Sequence, residues 1–395
     1  MAPPPTAATA TRNTIDSLPR EPSSDIKTQP LVDVDALLGK VAGYEEIIRH
    51  YFSLIPAQHA RNYEYAHLKA GFPEPATPWQ PLEEIPIPQD RGLFADPEYK
   101  ELFAAATNVE HINPTFGTIL HGVVLSKLND EQKDQLARLV SFRGVVFFRD
   151  QKEIGVDELL ELGKYYGPLQ RTGSTAVPVG AVENEELYSI HVVDATEKPV
   201  QKTLSQTDLW HSDVSFEIQP ASYTFLKLLQ GPLSYATYDE VSRPLAEYLE
   251  KLTASHSSQW QVDAVRDSGF RPRREAVNNS HPIVRTHPVT GLKSVYVNPL
   301  FTSKIDGVSK QESNAILNYI YQVLTTNIAD SVRWKWRKND IAVWDNRVTN
   351  HAGSYGTYPH YRHAIRVTVT GETPTFNGGM SQRDFYTEKL KDLTI

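Results

Sequence analysis

Apolar positions along the chain change their spacing in a way that separates helices from strands. After Asn129, Leu136, Leu139 and Val140 recur at a helical interval, and Asn129 with Gln132 three residues on makes a capping-box pattern. Gly144 ends that helix, and the unbroken run Val145-Val146-Phe147-Phe148 predicts a buried strand. A second helix is predicted from about Asp157 to Tyr166, closing at Gly167. Two more open at Ser242, through Leu245 to Leu252, and at Ser309 with Glu312, through Ile316 to Val323. Strand patterns cover Tyr223 to Leu229, Pro282 to Arg285, Ser294 to Val297, Ile341 to Trp344 and Ile365 to Thr370. The stretch HPIVRTHPVTGLKSVYVN predicts two strands joined through a turn at Thr290-Gly291. Helices do not alternate regularly with strands, which disfavours a parallel βαβ sheet. The predicted class is mainly β with flanking helices, a sandwich or jelly roll.

The pattern is weaker towards the N-terminus. Residues 1–30 are rich in Pro, Ala, Thr and Ser and are expected to form a disordered tail. Residues 31–113 combine a helical stretch, VDALLGKVAGYEEIIRHYFSLI, with the proline-rich FPEPATPWQPLEEIPIPQD. That segment is expected to wrap a core built elsewhere or to pack on a second copy of the chain. Residues 114–395 are expected to form the principal domain.

Composition narrows the chemistry. Of 395 residues, 40% are hydrophobic and 22% charged, the balance of a globular protein. Lys and Arg number 40 against 48 Asp and Glu, a net charge of −8 without a basic block, which argues against nucleic acid as a partner. There are no cysteines, so disulfides, iron–sulfur clusters and thiolate nucleophiles are excluded, and any metal must be held by His, Asp or Glu. No apolar run is long enough to span a membrane. The opening residues lack an apolar stretch and carry Asp16 and Glu21, which points to the cytoplasm rather than to secretion.

With 13 histidines in the chain, a single His-x-Asp is weak evidence for a metal. In Leu209-Trp210-His211-Ser212-Asp213, however, an extended backbone would turn His211 and Asp213 to one face, two thirds of a facial triad for Fe(II). The run Trp344-Asp345-Asn346-Arg347-Val348-Thr349-Asn350-His351 supplies a distant third ligand. Arg362 and Arg366 follow, four apart on a strand-like segment, with both guanidinium groups expected on one face to hold anionic groups. Asn346 and Arg347 are expected to hold the loop that presents His351, and His281 and His287 to make structural hydrogen bonds. Trp210, Phe216 and Trp344 are expected in the core, and Arg271-Pro272-Arg273-Arg274 in a solvated loop.

These stretches, with GTILHGVVLSKLNDEQKDQLARLVSFRGVVFFRDQ, WHSDVSFEIQPASYTFLKLL and VRWKWRKNDIAVWDNRVTNH, resemble the TauD/TfdA family of Fe(II)/2-oxoglutarate oxygenases in its fungal sulfonate-dioxygenase form. The resemblance implies a double-stranded β-helix, a cupin-like jelly roll. It implies His211, Asp213 and His351 as iron ligands and as the catalytic centre, with O2 and 2-oxoglutarate as cosubstrates. By position in the motif, Arg362 would bind the distal carboxylate of 2-oxoglutarate and Arg366 a substrate anion. The implied reaction oxidises a C–H bond of a small anion, with succinate and CO2 as co-products; a sulfonate such as taurine would yield sulfite and an aldehyde. The alternatives are the same chemistry on an amino acid such as L-valine, or a metal-binding jelly roll without activity. A homo-oligomer is the family expectation. Two features depart from the family pattern. Thr172 stands where sulfonate enzymes carry a substrate-binding His. Leu229-Gln230 runs into Gly231-Pro232 without the threonine-containing loop that helps hold 2-oxoglutarate.

Overall fold

After a short helix α1 (Lys100–Ala104), helix α2 (Asp130–Arg143) begins where its cap chemistry requires: the Asn129 side chain accepts from the Gln132 amide at 2.8 Å, and the Gln132 side chain accepts from the Asn129 amide at 3.0 Å. Gly144 follows at φ 70°, and a Cβ there would stand 2.2 Å from the Phe116 ring, so glycine is required twice over. The chain then enters the predicted buried strand, Val145–Phe148. The computed structural model describes residues 64–71, 79–178, 184–192, 207–230, 234–237, 243–267, 270–327, 330–353 and 362–392. The predicted N-terminal tail and the helical stretch before residue 64 lie outside these, as does Ser242.

Seven strands form the larger sheet. Numbering the strands of the two principal sheets in chain order, these are β1 (Asn108–His111), β2 (Thr118–His121), β3 (Val145–Phe148), β4 (Leu187–Val192), β5 (Ala221–Gln230), β8 (Ile341–Asp345) and β10 (Arg362–Thr370), ordered β1-β2-β3-β8-β5-β10-β4. The sheet therefore takes in Asn108–His111, ahead of Pro114. A three-stranded sheet holds β6 (Ser234–Thr237) between β7 (Ser331–Val332) and β9 (Thr349–Ala352). Pairing is antiparallel apart from β2 with β3.

Alternation along the central strands divides the core. Phe225 on β5, Ile341 and Val343 on β8, and Ile365 and Val367 on β10 join a cluster with Leu136, Leu139 and Val140 of α2 and Leu159 and Leu162 of α3 (Val156–Tyr166). The opposite positions, Leu226, Leu228, Ala342, Trp344 and Ala364, pack with Val332, Trp334 and Trp336. Thr224 and Arg366 share the parity of that second face. Burial on the two faces follows from a strand period of two.

The predicted hairpin forms: Val284 to Thr286 pairs with Lys293 to Val295, and Gly291 takes φ 67° in the turn. The predicted single strand from Pro282 to Arg285 is divided, because Asn278–Pro282 pairs instead with Thr253–Ser257. The helix expected after Ser242 runs Arg243–Leu249, shorter than predicted, and the one capped by Ser309 runs Lys310–Thr326. A helix at Gln259–Asp267 was not foreseen; Val262 and Val265 are its buried positions. The Arg271–Arg274 stretch is not a solvated loop. Arg273 donates to the carbonyls of Thr172 and Thr175, both at 3.1 Å, and Arg274 pairs with buried Glu217. A carboxylate and several carbonyls under the surface supply what the guanidinium groups would otherwise take from water.

The proline-rich stretch from Trp79 lies on this framework. Arg171 and Arg273 sit over the Trp79 ring, the Ile85 amide donates to Gln219, and Asp90 accepts from Tyr223 and Arg347. Proline removes backbone donors, so side-chain contacts take the place of a ladder there.

Candidate metal centre and active site

The chain meets itself at His211 and His351. Their backbones exchange hydrogen bonds, His211 N–H to the His351 carbonyl at 2.9 Å and the reverse at 2.7 Å. His351 lies on β9, where it was expected at the end of a strand run. His211 and Asp213 are not together on an extended strand. The isolated bridge at His211 gives way to a turn, and Val214 sits at φ 46°. Reversal of the chain, rather than strand alternation, brings the Asp213 carboxylate beside the imidazole.

His211, Asp213 and His351 each offer a ligand atom, and the three atoms lie within 4.8 Å of one another. Asp213 Oδ1 is 3.8 Å from His211 Nε2 and 3.6 Å from His351 Nε2. Nδ1–H of His211 donates to the Leu209 carbonyl at 2.7 Å, leaving the Nε2 lone pair turned to the centre. The imidazole rings stand 4.3 Å apart, and Phe301 and Trp344 meet His211 and His351 edge-on.

Charge favours the ligand forms. Burial pushes both imidazoles below their ordinary value, His351 far below, despite the pull of Asp213 in the other direction. Burial alone would raise Asp213, but Arg366 first, and then the two imidazoles, hold its carboxyl below the usual range. Two neutral nitrogens and one carboxylate oxygen are the donor set of a 2-His-1-carboxylate facial triad, so the residues present fit Fe(II).

Arg366 was expected near a substrate anion; its Nη1 lies 2.6 Å from Asp213 Oδ1, and its guanidinium rests over the Tyr188 ring at 4.9 Å. Arg362 opens β10 opposite Val192 on β4, four residues ahead of Arg366. Thr172 is buried; its hydroxyl stands 2.6 Å from that of Thr175, and its carbonyl accepts from Arg273. Among the described residues, these contacts do not join Thr172 to the triad. Only Gly231 to Leu233 separate β5 from β6, and those three lie outside the described residues. Asn346, expected to hold the loop before His351, instead bonds the Asp213 backbone, Ser222, Thr224 and Trp344, and Arg347 pairs with Asp345 and Asp90; His281 and His287 hydrogen-bond to the Glu217 carbonyl and the Asp345 carboxylate. Thr224, which no motif marked, donates to Asp213 Oδ2 at 3.0 Å.

A jelly roll that carries two histidines and an aspartate where its two sheets meet defines a non-haem iron oxygenase. Residues 108–368 match the family of the taurine catabolism dioxygenase TauD and TfdA, and the chain belongs to that family. A Schizosaccharomyces pombe protein assigned by name to the alpha-ketoglutarate-dependent sulfonate dioxygenases is 40% identical over 334 residues, 82% of this chain and 84% of that protein. The alpha-ketoglutarate-dependent sulfonate dioxygenase of Saccharomyces cerevisiae is 34% identical over 78% of this chain and 79% of its own length. Among solved structures, a taurine dioxygenase from Burkholderia xenovorans aligns with a TM-score of 0.57 at 27% identity, covering 69% of this chain and 93% of that one. The chain is thus an Fe(II)- and 2-oxoglutarate-dependent dioxygenase that uses O2. No described helix is long and apolar enough to cross a membrane.

Proposed function

We propose that this dioxygenase oxidises a C–H bond of a small organosulfonate, with taurine as the model substrate, giving sulfite and an aldehyde beside succinate and CO2. The observation that carries the reading is a buried guanidinium, Arg366, in contact with the carboxylate of a compact His211–Asp213–His351 cluster. A cation at that depth is suited to an anionic substrate, and a sulfonate offers three acceptor oxygens to it. The names of the two fungal relatives support the same substrate class.

In this reading His211, Asp213 and His351 hold the iron, which when bound supplies the oxidising chemistry through O2 and 2-oxoglutarate. His211 is oriented for ligation by the Leu209 carbonyl, which takes its Nδ1 proton. Arg362 pairs with the distal carboxylate of 2-oxoglutarate, and Arg366 neutralises the substrate anion. Thr172 belongs to the substrate side, where a hydroxyl in place of histidine leaves the anion without a second cation. The described residues ahead of Asn108 wrap the oxygenase domain, and the protein works as a cytoplasmic homo-oligomer.

The test is succinate release with Fe(II), ascorbate, O2 and 2-oxoglutarate, comparing no addition, taurine and L-valine. Taurine-stimulated succinate with equimolar sulfite supports the sulfonate reading. Stimulation by valine without sulfite overturns it in favour of an amino acid.

A further inference from the structure

Asn346 sits one residue after β8 and reaches the centre through Asp213 and Thr224. Its Oδ1 accepts from the Trp344 indole N–H at 3.0 Å and from the Asp213 backbone N–H at 3.1 Å. Its Nδ2 donates to the Ser222 carbonyl at 3.0 Å and to Thr224 Oγ1 at 2.8 Å. The orientation of this amide is not open to exchange: an indole only donates and a carbonyl only accepts, so each fixes one end. Thr224 Oγ1 accepts from Asn346, and its one proton goes to Asp213 Oδ2 at 3.0 Å, a charged and nearer acceptor than Thr368 Oγ1 at 3.3 Å. The result is a closed ring, from the Asp213 backbone through Asn346 and Thr224 to the Asp213 carboxylate. The Asn346 carbonyl also accepts from Ser212 Oγ at 2.6 Å, tying down the residue between the two expected ligands.

We infer that Thr224 and Asn346 are positioning residues that make Asp213 a one-oxygen ligand. Thr224 occupies Oδ2 and Asn346 aims its hydroxyl, so that Oδ1, which also accepts from Arg366 Nη1 at 2.6 Å, is the oxygen that faces the two imidazole nitrogens. The inference rests on the reading of Asp213 as an iron ligand. Its physical reason is that a carboxylate with both oxygens free can chelate a metal through both and take two coordination positions, leaving fewer for 2-oxoglutarate and O2. A hydroxyl on Oδ2 disfavours that mode, and the amide behind it keeps the hydroxyl aimed. Partners of this kind around a metal ligand typically contribute a factor of about 10–100 in metal affinity.

The experiment titrates the full-length protein with Co(II) and follows the visible ligand-field band, alongside thermal unfolding of the metal-free protein. The variants are Thr224→Val, which keeps the shape and removes the hydroxyl, Thr224→Ser, which restores it, and His211→Ala as the control for the site. The expected result is binding weakened about 10–100-fold in Thr224→Val, with an altered band at saturation, recovery to near wild type in Thr224→Ser, and closely similar melting temperatures. If His211→Ala loses the band while Thr224→Val binds Co(II) with wild-type affinity and spectrum, the positioning role is overturned and the ligand assignment stands. Wild-type binding by His211→Ala overturns the ligand assignment and the inference with it. A Thr224→Val protein that melts early but shows an unchanged band at saturation also overturns the positioning role, because the hydroxyl would then be only structural.

Discussion

Two buried aspartates use the same partners to opposite ends. Asp345, at the end of β8, is fully buried, and both its oxygens are saturated. Oδ1 accepts from the Arg347 backbone at 2.9 Å and side chain at 2.8 Å, while Oδ2 accepts from Arg347 at 2.6 Å and from His287 at 2.9 Å. Asp213 is also buried, also beside an arginine and histidines, and also held below the usual carboxylate range. Its histidine nitrogens, however, stand 3.6 and 3.8 Å from Oδ1, too far for hydrogen bonds. Around Asp345 the contacts are closed, and the group is scaffold. Around Asp213 the arginine and Thr224 also close, at 2.6 and 3.0 Å, but the imidazoles are held at the separation expected of ligands spanning an ion, since each bond to a first-row metal is about 2.0–2.2 Å long. The arginine contact is 2.6 Å in both, so the distance to the histidines, rather than residue type, distinguishes the structural cluster from the chemical one.

The largest break of this comparison is on the open side. His211→Ala is expected to abolish metal binding and turnover while the protein remains folded, checked by metal content, succinate release and circular dichroism. Retained turnover would refute the ligand assignment. On the closed side the expected damage is to stability. Asp345→Asn leaves the Arg347 guanidinium and His287 with a weaker partner, and urea denaturation is expected to show a loss of about 3–5 kcal/mol, as for other broken buried pairs. A variant as stable as wild type would mean that Asp90 and Glu372, which also approach Arg347, suffice without it.

A smaller effect is expected at the edge of the open site. Arg362→Ala should raise the KM for 2-oxoglutarate about tenfold or more, from ~1.5–3 kcal/mol for hydrogen bonds to a charged group, with kcat changed less. Steady-state kinetics at saturating substrate check it, and an unchanged KM would remove Arg362 from cosubstrate binding. The smallest effect is in acid. Burial opposes ionisation of Asp345, but Arg347 and His287 together hold its folded pKa below the ordinary 3.8. Its contribution to stability is therefore complete above that ordinary value and is lost as pH falls towards the folded one. Between about pH 5 and about pH 3, wild type should lose about 1 kcal/mol more than Asp345→Asn, and equal losses would contradict the assignment.

Much of the scaffold was legible because its signals are local. The Asn129 cap, the Gly144 stop, the Val145–Phe148 strand and the Thr290-Gly291 turn each depend on a few neighbouring residues and reappear in the structure. The candidate ligands were legible because His211, Asp213 and His351 sit in distinctive segments. The strand expected at Asp213 was not found, since the positive φ of Val214 depends on the packing of the turn and leaves no periodic trace. The burial of Arg273 and Arg274 escaped notice for a similar reason: three arginines within four residues read as surface until Glu217 and the Thr172 and Thr175 carbonyls are seen beneath them.

The order of residues by itself determined the capped helices, the alternating strands and the identity of the candidate ligands, through hydrogen bonds and side-chain spacing that act within one or two turns of chain. Only the tertiary structure decided that Arg366 rests on Asp213, that Thr224 takes its second oxygen and that Asn346 closes the ring. Asp213 and Arg366 are 153 positions apart in the chain, and Asn346 is 133 from Asp213. Such contacts exist only after β5, β8 and β10 have paired, because pairing is what turns Thr224 and Arg366 to one face and places both against the turn at Asp213.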